Sequence, residues 1–433
     1  MVQANAIKRE PIMGLKILEY RMRYVALAFA VILIALSTAS AETWRLDKGK
    51  DWEEVSAEGT DKFLLAVAEA KKLVNTGQTK AARKAFDTLK KDFPEIAGPD
   101  LDIFIKAEIL FCRGHFSLAA KNYNRLLTKY PKSELRQASF DRQFAIATAF
   151  LAGQKENMLG IFKTTRYTEG LKIMERIGDQ AVDSPIGAEA AMTAAKIYKK
   201  QGNITKAVRN YENVITKYPT HELHKEALDS LFAIGTAFLG GQKRTVLGIF
   251  KIKRYAEGVR IMEKITDQAG LDVPIGVKAS TAVAEHYEKR EKFTEAYLKW
   301  QEISSQWQTG QIGKDALLGM ARSIHAAYNE TTGQKRPLYD ASRLSTAKTY
   351  YSRFKLLYPK DAEEIGVDEI LIKIEEQLAQ KHYIIGRYYQ RTNKRQAANL
   401  YYNMVIQDFP LSKAAEMAKT MLIENSGVEK AKK

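Results

Sequence analysis

The sequence predicts an all-α protein, a solenoid of about eight helical hairpins stacked one on the next. Three observations predict it. Residues 130–181 are repeated at 218–269 without a gap, with 31 of 52 aligned positions identical. A spaced pattern of glycine, alanine, aromatic residue and proline recurs through the chain. Composition allows a large or a long core: 45% of the 433 residues are apolar, and glycine and proline, at 26 and 10, are too few for a low-complexity chain.

In chain order, residues 1–23 are polar and end on Arg21 and Arg23, 24–36 (YVALAFAVILIAL) are apolar, and Ala39 and Ala41 follow at the spacing of an A-x-A cleavage site. Charged, apolar and small segments in that order read as a secretory signal over 1–41, cleaved near Ala41. The apolar run is shorter than the roughly 20 residues a membrane-spanning helix needs. Residues 42–60 read as a polar N-terminal arm. Hairpins one and two then occupy 61–131, the first copy of the duplicated two-hairpin block 132–219, and the second copy 220–308. C-terminal hairpins and a capping helix fill 309–424, and 425–433 read as a frayed basic tail.

Counting back from Pro94, Phe86 lies eight residues earlier, Ala82 twelve and Gly77 seventeen. Pro131 has Tyr123, Ala119 and Gly114 at the same offsets, and Pro219 has Tyr211, Ala207 and Gly202. Pro410 has Tyr402 and Ala398, with Asn393 in place of the glycine. Each residue has a physical task. The glycine ends the first helix with φ > 0, which Asn also tolerates. The alanine lets two helices approach, and the aromatic four residues later fills the space on the same face. The proline ends the second helix, and Ser133 and Ser412 are placed to cap the helices that follow. Looser copies keep Ala284, Tyr287, Ala296 and Trp300, or Ala347, Tyr351 and Pro359, the last after an inserted loop NETTGQKRP. The pattern resembles the tetratricopeptide repeat (TPR) over most of 61–424, which implies a right-handed superhelix.

Little in the chain points to chemistry. The single cysteine, Cys112, excludes a disulfide framework and reads as a buried structural thiol. His221 and His224 in HELHKE have metal-like spacing, but the first copy has Ser133 and Arg136 there, so a variable helix start explains them better. No phosphate-binding GxxxxGK[ST], GxSxG or HExxH occurs. An enzyme is not expected, nor is any metal or cofactor. The formal charge is +17, and residues 1–41 carry five basic and two acidic side chains, so the remainder keeps +14. That surplus favours acidic partners, yet no basic–aromatic cluster of a nucleic-acid module is present, and nucleic acid is not expected as a partner.

One motif stands apart, GQK-x3-LGIFK-x2-RY-x-EG at 153–170 and again at 241–258. It places Leu159, Ile161 and Phe162, and then Leu247, Ile249 and Phe250, in what reads as an interhelical loop. Either these residues fold back onto the neighbouring hairpin, as in an Ω-loop, or they form an apolar docking site for a partner or a membrane surface. The near-identity of the copies favours the first.

Taken together, the hairpin pair at 61–151, the LGIF loop and residues 374–410 (IEEQLAQKHYIIGRYYQRTNKRQAANLYYNMVIQDFP) resemble the BamD-type family, the TPR subunit of the outer-membrane β-barrel assembly machinery. That resemblance implies a non-enzymatic periplasmic scaffold, peripherally associated with the outer membrane, that binds unfolded barrel-protein segments or partner subunits. It implies groove residues at Lys71, Phe104, Glu108 and Phe111 and docking residues at Tyr383, Arg387 and Gln390. The chain departs from the family in lacking a lipidation cysteine and in having more hairpins. A periplasmic TPR adaptor for cell-wall or cell-division proteins is the alternative.

Overall fold

The computed structural model describes residues 44–45, 53–54, 57–94, 98–158, 162–182, 184–246, 250–330 and 341–430. Among them are 18 helices and six strand segments of two to four residues. The chain divides into two compact units, Met1–Arg166 and Tyr167–Lys433. The predicted signal segment lies outside the described residues.

The first unit opens with a two-residue antiparallel ladder, β1 (Trp44–Arg45) on β2 (Glu53–Glu54). Helices α1 (Ala57–Asn75) and α2 (Thr79–Asp92) form the first hairpin, and α3 (Pro99–Cys112) and α4 (Phe116–Lys129) the second. Helix α5 (Arg136–Leu151) packs on α4 and leads into β3 (Lys155–Met158) and β4 (Phe162–Thr165). The second unit begins with α6 (Tyr167–Gln180). It continues through hairpins α7–α8 (Pro185–Lys200, Ile204–Lys217), α9–α10 (Leu223–Leu239, Tyr255–Ala269) and α11–α12 (Pro274–Lys289, Phe293–Gln306). Strands β5 (Lys243–Val246) and β6 (Phe250–Lys253) lie between α9 and α10. Next come α13–α14 (Gly310–Asn329, Ser342–Leu357), the short α15 (Pro359–Ile365), α16–α17 (Val367–Arg391, Arg395–Asp408) and the closing α18 (Lys413–Lys430). In sequence, α5 and α6 are the first-copy counterparts of α9 and α10.

The recurring spacing forms the turns it predicts. Gly77, Gly114 and Gly202 sit at φ of 75°, 77° and 74°, and Asn393 at 61°. The looser α11–α12 turn uses Glu291 at φ 58°, a left-handed position with no glycine. Helices α2, α4, α8 and α17 each end two residues before the proline of the pattern. Ala82, Ala119, Ala207 and Ala398 are fully buried, with Phe86, Tyr123, Tyr211 and Tyr402 enclosed beside them. Burying one such ring contributes about 1.5–3 kcal/mol, which is why the pattern and the core coincide.

Several expectations need correction. The predicted polar arm contains β1 and β2, and α1 starts at Ala57, inside it. The predicted frayed tail is helical to Lys430, where Asn425 is buried and donates to Asn399 Oδ1 at 2.7 Å. Ser412 caps α18 by accepting from Ala415 N at 3.0 Å, but Ser133 lies one turn too early for α5 and instead accepts from Leu135 N at 3.2 Å. Pro359 stands two residues past the end of α14, like the other prolines of the pattern, and it also occupies the first position of α15, where its missing N–H costs nothing. Cys112 is half-buried rather than enclosed, its sulfur 3.2 Å from the Thr79 hydroxyl. Of the inserted loop NETTGQKRP (329–337), Asn329 closes α13 and Glu330 caps it, and 331–337 lie outside the described residues.

The duplicated motif is a β-hairpin in both copies, not an Ω-loop. Met158 pairs with Phe162 and Lys155 with Thr165, and Val246 pairs with Phe250 and Lys243 with Lys253. The period of two in FKIK is a strand signal that a loop reading overlooks. Leu159, Ile161, Leu247 and Ile249 lie outside the described residues. Phe162 and Phe250 open β4 and β6.

Candidate functional site: polar relays between successive hairpins

In the first unit, the first helices of successive hairpins are joined by one arginine. Arg142 on α5 donates from Nε and Nη2 to the two carboxylate oxygens of Glu108 on α3, at 2.8 and 2.7 Å. Its Nη1 continues to Asn75 Oδ1 on α1 at 2.6 Å. Tyr123, the aromatic of the recurring pattern, donates its hydroxyl to Glu108 Oε1 at 2.7 Å. The guanidinium also lies over the Phe111 ring, 4.5 Å from its centroid. Glu108 is 0% exposed, so this paired and hydrogen-bonded geometry is what makes its burial tolerable. Burial works against the Arg142 charge, but the hydrogen bonds and charge of Glu108 win and raise its pKa. Burial, and then Glu108, push the Tyr123 hydroxyl far up, so it remains a donor.

The second unit repeats the arrangement. Glu288 on α11 accepts from Trp300 Nε1 at 2.9 Å, from Arg322 Nη2 at 2.6 Å and from Ser323 Oγ at 2.8 Å. Arg322 follows Glu288 by 34 residues, the same separation as Arg142 from Glu108. A recess of about 390 Å³ opens beside this relay, lined by Glu285, Glu288, Lys289, Phe293, Arg322 and Ser323. Burial, and then the neighbouring Glu288, raise the pKa of Glu285.

Of the residues expected in an N-terminal groove, Glu108 and Phe111 meet Arg142, and Lys71 lies near enough to feel its charge. Lys71 is half-buried, and its pKa is lowered by burial and then by Arg142, against the pull of Glu108 and Asp141. Asp141 is shifted up by partial desolvation, which Lys71 opposes. Phe104 does not belong with them. It is enclosed between Phe86 and Tyr123, with ring centroids 6.5 and 5.9 Å away, and serves as a packing residue.

At the C-terminal end, Arg387 is exposed and donates to the Tyr383 hydroxyl at 3.2 Å. Gln390 accepts from the Tyr402 hydroxyl at 2.5 Å, and burial pushes the Tyr402 pKa up to about 12. Tyr383 itself is buried, its ring 5.7 Å from that of Tyr402. Of these three, Arg387 is the one that faces solvent freely.

His221 is not a ligand here; its Nδ1 accepts from Leu223 N at 3.1 Å, which fixes the start of α9. Among the described residues, no group of three or more His, Cys, Asp or Glu is arranged to hold a metal ion. None of the described helices is long and apolar enough to cross a membrane. Arg142, Asn75, Glu288 and Arg322 were missed at the sequence level. Their signal is present, a Glu followed by an Arg 34 residues later, twice.

The family comparison agrees with this architecture over one hairpin. The tetratricopeptide-repeat family profile matches residues 189–221, which run from within α7 through α8. The fold is a tetratricopeptide-repeat array. No curated protein matches the sequence. Among solved structures, the C-terminal part of a TPR repeat-containing protein from Cytophaga hutchinsonii is 18% identical, with 73% of this chain and 98% of that one covered and a TM-score of 0.25. A tetratricopeptide repeat protein from Parabacteroides merdae is 12% identical, covering 76% and 98%, with a TM-score of 0.20. The apo quorum sensor NprR from B. thuringiensis is 13% identical, covering 90% and 94%, with a TM-score of 0.21. Residues 189–221 carry a tetratricopeptide repeat, a module that in general binds protein partners.

Proposed function

We propose that the TPR array is a periplasmic scaffold of the BamD-like type, which holds unfolded segments or partner subunits of outer-membrane β-barrel proteins at the outer membrane. The observation that carries the reading is the placement of charge on the first helices of the hairpins. In each unit the relay arginine is bound to a carboxylate, while further charges stand beside it: Lys71 and Asp141 in the first unit, Glu285 and Lys289 in the second. Stacked first helices bind extended peptides by geometry, and such charges set register and rate of encounter with no catalytic group. Arg387, exposed beside Tyr383, supports a separate docking point at the C-terminal end. The signal-like segment over 1–41 supports export.

The test is envelope fractionation of the native protein, followed by crosslinking and mass spectrometry. Recovery with the outer membrane and a β-barrel partner is the expected result. Recovery in the cytosol overturns the reading, and a soluble periplasmic species crosslinked to wall synthases replaces it with the cell-wall adaptor.

A further inference from the structure

Within the second unit, a recess of about 610 Å³ lies between α9, the end of α10 and the start of α11, away from the Glu288 relay. Leu228, Phe232 and Ile275 form its apolar part, and Val273 at its edge is 39% exposed. Pockets of 300–1,000 Å³ with a mainly apolar lining are of the size that encloses a ligand group, here enough for a large side chain with its flanking backbone. Lys225 and Lys278 stand on the rim, both exposed, with one carboxylate, Asp229, one helical turn after Lys225. Neither lysine is in an ion pair among the described residues, whereas the adjacent Glu226 is held by Lys196 at 2.7 Å. Burial lowers the pKa of His224, so at neutral pH it adds polarity but little charge.

The duplication separates what the fold needs here from what it does not. The first copy keeps the framework, with Phe144 for Phe232, Asp141 for Asp229 and the Pro-Ile-Gly of 185–187 for that of 274–276. It does not keep the rim, because Gln137 stands for Lys225 and Glu189 for Lys278. Two cations that the first copy does without, that form no ion pair among the described residues and that flank an apolar slot are suited to an external acid.

We propose that this recess docks an extended, acidic segment of a partner polypeptide. An aromatic side chain of that segment seats on Leu228, Phe232 and Ile275, and the carboxylates on either side of it meet Lys225 and Lys278. The proposal rests on the reading of the array as a scaffold for polypeptide segments, and it adds the chemistry of the segment. An apolar floor also selects against a nucleic-acid backbone, which presents charge and no aliphatic anchor.

The probe is a fluorescent twelve-residue peptide with tryptophan between paired aspartates, titrated by anisotropy into the full chain. Each exposed ion pair contributes modestly, so the double variant Lys225→Glu/Lys278→Glu is expected to weaken binding about tenfold. The same variant should bind a peptide with lysines in place of the aspartates better than the wild type does. Replacing the peptide's tryptophan by alanine should abolish binding. With benzoylphenylalanine in that place, photo-crosslinks should fall on residues 228–232 or 273–278. Equal affinity of wild type and double variant overturns the proposal. So does peptide binding that ignores the tryptophan and is displaced by anionic vesicles or a single-stranded oligonucleotide, the behaviour of a general cationic surface. If the double variant still crosslinks natural envelope partners as the wild type does, this docking site is wrong and the scaffold stands. If the wild type captures no polypeptide from the envelope, the scaffold reading itself fails.

Discussion

Replacing Arg142 with methionine tests whether the first relay holds its hairpins together. The change removes three hydrogen bonds, two to Glu108 and one to Asn75. It leaves Glu108 at 0% exposure with one remaining donor, the Tyr123 hydroxyl at 2.7 Å. A buried carboxylate stripped of its cation is the costly half of a broken pair, so the expected loss is about 3–5 kcal/mol. Removing both charges in Glu108→Leu/Arg142→Met should recover most of that loss, because an apolar pair of similar volume does not have to be dehydrated as ions. The assay is urea unfolding followed by circular dichroism, with hydrogen exchange to locate the effect. In a repeat array stability is a sum of local and nearest-neighbour terms, so lost protection should be confined to α1, α3 and α5 with their partners. A loss below about 1 kcal/mol for the single variant, or an equal loss for the double, would show that the relay does not stabilise the stack.

Other perturbations follow from the same geometry. A Cβ at Gly319 would lie 2.4 Å from the Trp300 ring, so Gly319→Ala should cost about 1–3 kcal/mol of unfolding free energy in the second unit. Glu291→Gly should stabilise by about 0.5–1 kcal/mol, seen as a higher melting temperature, because it relieves a left-handed residue at φ 58°. His325 is held below its ordinary 6.5 by burial, with Gln377 opposing and Lys373 assisting. Its neutral form therefore contributes stability that is complete above 6.5 and is lost as pH falls through the lower folded value. His224, His286 and His382 are shifted down by burial as well and share that sign. The urea midpoint should fall from about pH 7.5 to about pH 5.5, and His325→Gln should flatten part of the fall. A midpoint unchanged by pH in the wild type would refute the assignment.

The fold was legible because a repeat writes its constraints several times. Gly77, Ala82, Phe86 and Pro94 say little alone, but the same offsets before Pro131, Pro219 and Pro410 leave one explanation. The site was less legible. Glu108 reads as an ordinary helix residue, since its partner Arg142 lies on another hairpin, and only the repeat length of 34 connects them. Phe104 was misplaced for a related reason. Helix α3 is apolar on most of its circumference, so its pattern does not separate the side facing Tyr123 from the side facing solvent. The β-hairpins were hidden by brevity, because of the four-residue strands only FKIK alternates, and the adjoining apolar residues read equally well as loop anchors.

The duplicated block also shows how this array acquired different surfaces from one framework. Gly170 and Gly258, Phe150 and Phe238, and Ile173 and Ile261 are the same in both copies. A Cβ at Gly258 would meet Leu239 and Phe238 at 3.0 Å, so close helix approach explains the constancy there. Helix α5 and its counterpart α9 diverge elsewhere, at Ser139 against Ala227, Arg142 against Ser230 and Gln143 against Leu231. These changes make a polar interior in the first copy, where Arg142 binds Glu108, while in the second Ala227 and Leu231 are buried and Ser230 is half-buried. On the outer turn the change runs the other way, with Gln137 against Lys225 and Glu189 against Lys278. One copy thus spends its cation inside the stack, and the other presents two at the rim of an open recess. Identical hairpins would have offered a partner the same surface twice; these offer two different ones.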